Sequence, residues 1–371
     1  MAVSIQAVIE ILERFAPKKL AEDWDTGIGL QIGDPSQAVK NIFVSLDLNT
    51  EVLQEAVLAQ ADLLIVHHTP FFKPLQHLRT NEPGAKLITE IVRQGMALYT
   101  AHTNLDIAAG GVNDALAQKL GLEQTKVLAV SRRQKLYKLA VYLPFDYEEK
   151  LRTAITRAGA GFIGNYSECT FQVQGMGTFR PQDGADPFIG SLGVLERVEE
   201  IRLETIVPEE KLSAVVKAML QAHPYEEPAY DIYLLENEGR AAGAGRVGRL
   251  PVPLSLREFA GTVKERLGAQ HLRYCGEAGR LITKVALCGG SGMSYWRQAR
   301  FHGADVLVTA DVKYHDAQDA LAEGLAVIDA GHYATERPVM PVVADFLREQ
   351  LQKNDVQVTV SQICTDPFCY L

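Results

Sequence analysis

Cysteine is scarce in this chain. There are five in 371 residues, an odd number, and no Cys-x-x-Cys pair. A disulfide framework is therefore not what holds the fold together, and a reducing, cytoplasmic compartment is expected. Long apolar runs are missing too. No window approaches about 18 uninterrupted apolar residues, so no membrane-spanning helix is expected. The opening MAVSIQAVIEILERFAPKK places Glu10 and Glu13 inside its apolar stripe and has no cleavage site, so it reads as an amphipathic helix rather than a signal peptide. Positive charge is in deficit. With 37 Lys and Arg against 46 Asp and Glu, the net charge of −9 argues against nucleic acid as a partner. The segment CGGSGMSY carries neither a Walker pattern nor GxGxxG.

What is present suffices for a soluble globular fold. Hydrophobic residues make up 47% and charged residues 22%. The pattern predicts an α/β architecture in three segments. Residues 1–128 alternate short apolar strands (NIFVSLDL, ADLLIVHH, MALYTAHT) with helical stretches, and AEDWDTGIGLQIGDPSQ reads as a loop. Residues 239–371 repeat that grammar through KVALCGG, ADVLVTAD, AVIDAG and a closing VQVTVSQI. These two similar halves are expected to form one domain. Residues 129–238 read as an inserted α+β domain with the β-α-β-β-α-β order of a ferredoxin-like fold. The Gly/Ala-rich GRAAGAGRVG at 239–248 reads as the linker returning from it.

Histidines and carboxylates gather where strands end. His67 and His68 close ADLLIV, His102 and Asp106 follow MALYT, Asp311 and His315 follow VLVTA, and His332 and Glu336 follow AVIDAG. Open α/β sheets bind ligands outside the carboxyl ends of their strands, so these clusters can converge. Imidazole with carboxylate suits zinc, iron, manganese and similar divalent ions. Neighbouring side chains of an extended strand point to opposite faces, so His67 and His68 suit two ions side by side better than one. Glu336 lies four residues after His332, which would share a face on a helix. Pro338 favours a helix's first turn, however, which places Glu336 at a helix start and His332 in the preceding loop. Two divalent ions against the charges of Asp106 and Glu336 leave a positive surplus that invites an anionic small molecule, the logic of two-metal hydrolases.

Other features read more plainly. His77, His223, His271 and His302 are expected at the surface or in packing. CGGSGMSY suits either an anion-cradling loop or a tight turn. The Asp23-Trp24-Asp25 loop reads as a buried aromatic with capping acids. Phe71 and Phe72 suit the core or a pocket wall, and HPYEEPAYD at 223–231 suits a turn or an interaction edge.

AEDWDTGIGLQIGD, VSLDLN, IVHHTPFF, YTAHTNLDIAAGGVNDALA, LCGGSG, VLVTADVKYHDA and IDAGHYATERPVM together resemble the GTP cyclohydrolase 1 type 2 homologs, NIF-three-like proteins with a dinuclear metal centre. The resemblance covers both outer segments, and the middle one resembles a PII/CutA-type insertion. It implies a toroidal homohexamer with two divalent ions per chain, zinc foremost, then iron or manganese. The implied ligands are His67, His68, Asp106, His332 and Glu336. His68 and Asp106 would serve one ion, His67 and His332 the other, and Glu336 would bridge. His102 would act as an acid/base group or support a ligand. One departure, Asp25-Thr26-Gly27-Ile28-Gly29 where many members read DN-x-G, is expected to affect metal binding little. The family name implies GTP ring opening, and the intact five-ligand site with its surplus positive charge leads to the expectation of a metal-dependent hydrolase of a nucleotide-like or phosphorylated small molecule. The alternative is a non-catalytic regulatory assembly whose insert senses a ligand.

Overall fold

The structure, a computed structural model, describes residues 3–71 and 75–369. Two compact units emerge, one of residues 1–131 with 242–371 and one of residues 132–241. Each is described by itself.

The larger unit holds two principal sheets. The first runs, in spatial order, Gln357–Val360, Asn41–Ser45, Leu63–Val66, Ala97–Thr100 and Gly29–Ile32. Its first four strands are mutually parallel, and Gly29–Ile32 runs antiparallel at the edge. The second runs Arg273–Cys275, Ala326–Asp329, Val306–Thr309, Leu281–Leu287, Ala241–Ser255 and Glu123–Arg133. Its three middle strands Ala326–Asp329, Val306–Thr309 and Leu281–Leu287 are parallel.

Both sheets are covered on both faces, as parallel sheets must be, and period-two alternation sorts their side chains. In the first sheet, Ile42, Val44, Leu63, Ile65 and Tyr99 point into one core with the helices Ile5–Phe15 and Val339–Gln350. Phe43, Leu64, Val66 and Leu98 point into the opposite core with Thr50–Leu58 and Pro83–Arg93. Phe71 packs against that second core, so its core reading holds, and Phe72 lies outside the described residues. Leu287, Val308 and Ile328 of the second sheet pack with the helix Leu256–Leu267, while Ala286, Leu307 and Val327 face the other way toward Trp296. Ser255 and Glu258 form a reciprocal capping box at the start of Leu256–Leu267, satisfying donors that a helix start otherwise leaves open.

Three expectations are corrected. VQVTVSQI does not close the second set of strands. Its strand Gln357–Val360 pairs in parallel with Asn41–Ser45 of the first sheet, because an apolar strand's sequence carries no record of its partner. The segment read as a return linker belongs to the long strand Ala241–Ser255. Its small residues serve close packing of strands: a Cβ on Gly243 would sit 1.9 Å from the Ala129 carbonyl oxygen. The loop after Ala21 contains the edge strand Gly29–Ile32.

The smaller unit is a four-stranded antiparallel sheet, in order Tyr230–Leu235, Leu136–Pro144, Glu196–Pro208, Thr170–Phe179. The helices Glu148–Arg157 and Glu209–Ala222 pack on one face through Leu151, Ile155, Val215 and Met219, against Leu139, Val141, Ile201 and Leu203.

Candidate metal centre

The carboxyl ends of both large sheets supply the site. His67 and His68 directly follow Leu63–Val66. His102 caps the short helix Thr103–Ile107, which carries Asp106. From the other sheet, Asp311 lies just past Val306–Thr309 and His332 just past Ala326–Asp329. His332 is not in a loop. It opens the helix His332–Glu336, which ends before Pro338, and Pro338 caps a separate helix, Val339–Gln350. The four-residue spacing therefore does bring the two side chains together, with His332 Nε2 3.2 Å from Glu336 Oε2.

All five expected ligands meet, together with His102. His67, Asp106 and Glu336 form one group, and His68, His332 and Glu336 a second. In each, one ligand atom per residue lies within 4.8 Å of the others. Glu336 belongs to both. The expected division is otherwise reversed: His68 sits with His332, and His67 with Asp106. His67 is fully buried while the partly buried His68 reaches toward His332, and past the end of the strand the two rings lie 4.8 Å apart rather than on opposite faces. His67, His68 and His102 form a third group of the same kind.

Each imidazole is held from behind. The Nδ1 of His67 meets the Ala101 carbonyl at 2.8 Å, that of His68 meets Asp47 at 2.7 Å, that of His102 meets Asp25 at 2.8 Å and that of His332 meets Asp311 at 2.7 Å. A carbonyl or carboxylate oxygen only accepts, so each Nδ1 carries the proton and donates. Every neutral ring then offers the Nε2 lone pair inward, the arrangement by which metal-binding histidines are oriented and made more basic. Asp311 adopts a left-handed backbone (φ 53°) to reach its place.

Residues and group fit. Glu336 Oε2 is buried and faces His68 Nε2 at 3.1 Å and His332 Nε2 at 3.2 Å, while His67 Nε2 and Asp106 Oδ1 are buried without a hydrogen-bond partner. They converge, with His67 Nε2 3.6 Å from Asp106 Oδ1 and 3.9 Å from Glu336 Oε2. Orphaned buried polar atoms are costly, and a cation among the three would satisfy both at once. Electrostatics points the same way. Burial pushes His67 down to about 3, so it stays neutral. Burial also opposes charge on His68, but the carboxylates of Asp47 and Glu336 win and raise it to about 10. Glu336 raises His332 to about 9 against the cost of burial. Burial, then repulsion from Glu336, drives Asp106 well up, whereas His332 and His68 hold the buried Glu336 low. The cluster demands positive charge, which protons on His68 and His332 or metal ions can supply.

The CGGSG segment resolves as a tight turn. Its glycine amides are already spent: Gly289 N donates to Asn113 Oδ1, Gly290 N to Thr335 Oγ1 and Gly292 N to Thr309 Oγ1. Gly290, at φ +61°, lies where a Cβ would come within 2.1 Å of Glu336 Oε1, so the turn makes room for that carboxylate. Trp24 is not buried as expected. It is 65% exposed and meets His102 edge-on, while Asp25 is the buried member of its loop. His315 stands apart on Gln318. The anchoring roles of Asp25 and Asp47 emerge only from the structure. Asp47 shared a usable signal with Asp311, an acid just past an apolar strand. A cavity of about 580 Å3 opens beside the site, lined by Asp47, His68, Asp311, His332, Arg273 and Phe368 among others.

The model of the Duf34/NIF3 (NGG1p interacting factor 3) family matches residues 3–367. The chain belongs to this family. Among its relatives, the GTP cyclohydrolase 1 type 2 homolog of Bacillus subtilis is 46% identical over 372 residues, covering 100% of this chain and 99% of that one. Its counterpart from Mycobacterium tuberculosis is 39% identical, covering 99% and 97%. Solved structures also match the whole chain. The Bacillus cereus protein related to NIF3 superposes with a TM-score of 0.94 at 42% identity and is covered in full. Staphylococcus aureus protein SA1388 gives 0.77 at 29%, with 99% of it covered. No helix among the described residues is long and apolar enough to cross a membrane.

Proposed function

We propose that this Duf34/NIF3 protein is a metal-dependent hydrolase of a phosphorylated or nucleotide-like small molecule. Two divalent ions would be held by His67, Asp106 and Glu336 and by His68, His332 and Glu336. The observation that carries the reading is the convergence of His67 Nε2 and Asp106 Oδ1, both buried without a hydrogen-bond partner, on the buried Glu336 Oε2. Bound there, the ions would polarise a substrate oxygen and activate water at neutral pH. The protein's own part is to fix four imidazoles through Nδ1, to exclude water around His67, and to hold a proton at His102, which Asp25 orients. The cavity beside His68 and His332 would admit the substrate, with zinc, iron or manganese as the ion. A cytoplasmic homohexamer, with residues 132–241 as a ferredoxin-like, PII/CutA-type insertion, completes the reading.

The test is metal content per chain of protein purified without added metal, joined to turnover of GTP and simple phosphate esters. Two ions with metal-dependent turnover is the expected result, abolished in His68→Ala and Glu336→Gln proteins that keep their native circular dichroism. Turnover that survives complete metal removal overturns the hydrolase. The second reading, a regulatory assembly with a ligand-sensing insert, is favoured by one observation: residues 132–241 enclose a cavity of their own.

A further inference from the structure

HPYEEPAYD has no part in the metal centre. It lines, within the 132–241 unit, a cavity of about 550 Å3, a size typical of small-ligand sites. Aromatic rings form much of its wall. Tyr225 lies 6.0 Å from Phe179 and 6.2 Å from Phe188, centroid to centroid, and Tyr142 adds a fourth ring.

The charge lining the cavity is one-sided. Glu200, Glu226 and Glu227 face one guanidinium, Arg180. Glu200 accepts from the Tyr225 hydroxyl at 3.0 Å, and Glu226 from the Asp186 amide at 3.0 Å. Among the described residues none of the three has a cationic side chain as its ion-pair partner. The adjacent histidine does not supply the missing charge. His223 Nδ1 accepts from Tyr225 N at 3.1 Å and its Nε2 meets the Tyr142 carbonyl at 2.9 Å, so the ring is the neutral Nε2–H tautomer. Burial lowers its pKa, in keeping with that geometry.

We propose that this cavity binds a small organic cation, an ammonium or quaternary ammonium compound, against the aromatic wall with Glu200 as its counter-charge. Ring faces attract cations, and more strongly once water is displaced. A carboxylate braced by Tyr225 is already in place for the charge. An anion would meet three carboxylates, and an uncharged apolar ligand would strand them. The proposal gives the sensing reading a ligand class and rests on that reading only for its biological purpose. It requires nothing of the metal centre.

The test is calorimetric titration of the full-length protein with choline, tetramethylammonium and spermidine, and with 3,3-dimethylbutanol, the uncharged carbon isostere of choline. Saturable binding of at least one cation is expected, with the isostere about tenfold weaker or silent. Glu200→Gln, which keeps the Tyr225 hydrogen bond but removes the charge, should weaken binding about tenfold. Should Glu200→Gln fold poorly, Glu200→Ala in the same titration repeats the test, its fold checked by circular dichroism. Equal binding of choline and its isostere, no binding of any cation, or full affinity in well-folded variants overturns the proposal. Metal content measured on the same samples separates this failure from failure of the metal centre.

Discussion

Replacing Gly290 by alanine should empty the metal centre without unfolding the protein. The new Cβ would lie 2.1 Å from Glu336 Oε1 and 3.1 Å from His332 Nε2. Relief requires about 1 Å of movement to reach ordinary contact. The turn cannot supply it, because Gly290 N is bound by Thr335 Oγ1 and its carbonyl accepts from Ala310 N at 2.9 Å and Thr309 Oγ1 at 3.0 Å. The carboxylate must move instead, and Glu336 is the residue common to both ligand groups. Displacing even a supporting partner of a metal site typically costs 10–100-fold in affinity, so at least about 100-fold weaker binding is expected here. The left-handed backbone adds about 1–2 kcal/mol of destabilisation. Gly268→Ala separates the two effects. Gly268 has nearly the same φ, +63°, with nothing within 4 Å of its would-be Cβ, so that variant carries the backbone cost alone. Metal titration beside denaturant melts of the two variants reads both quantities. If Gly290→Ala loads metal like Gly268→Ala, the assignment of Glu336 at the heart of the site is wrong.

Metal binding should release protons. His68 and His332, raised to about 10 and 9, hold protons at neutral pH that must leave before both rings ligate one ion. Apparent affinity at that position should therefore climb by about two orders of magnitude per pH unit between roughly 6.5 and 8.5, and calorimetry in buffers of differing ionisation enthalpy counts the protons. A flat profile contradicts the site electrostatics. The 132–241 unit should have its own acid sensitivity. His223 has a lowered pKa in the folded state, so its contribution is full above the unfolded value of 6.5 and declines as pH falls below it. Hydrogen exchange at residues 222–230 should accelerate there, and His223→Gln should flatten the response. Arg246 is buried, pairs with Asp114 through two bonds of 2.6 and 2.7 Å, and reaches the carbonyls of Gly243 and Gly245. Arg246→Ala strands the partly exposed Asp114 and the carbonyls of Gly243, Gly245 and Ala108, and should cost about 3–5 kcal/mol in denaturant unfolding.

The strand-end histidines were legible because a run such as LLIV followed by His-His marks both a buried strand and its functional end. The inserted segment's elements were legible for a related reason: each amphipathic helix there packs locally. What escaped was pairing. Nothing in QVTV says that it lies beside NIFVS, since both simply mix β-branched and polar residues. The division of ligands between two groups escaped as well, because it depends on which way His67 and His68 turn about a bend that spacing alone does not describe. The anchoring acids were hidden by being single. An isolated Asp25 or Asp47 has no partner in sequence, only in space. The helix at His332 was misplaced by giving Pro338 too much weight. A helix of five residues can end before the proline, which then begins the next.

The chain's late return to its first sheet sets an order of events during synthesis. His68 is made long before Val360, and at typical elongation rates the interval is roughly a quarter of a minute to one minute. Throughout it, Asn41–Ser45 lacks the strand Gln357–Val360 and the core beneath it lacks Val339–Gln350. The histidines of the first sheet must likewise wait for Glu336. A nascent chain therefore passes through a stage with an open sheet edge and the three imidazoles of His67, His68 and His102 without Glu336, able to capture stray metal or to pair with a neighbour. Residues 132–241, with a hydrophobic core of their own, can close during that interval. Ribosome-bound intermediates halted before residue 339 should be the species that most needs a chaperone.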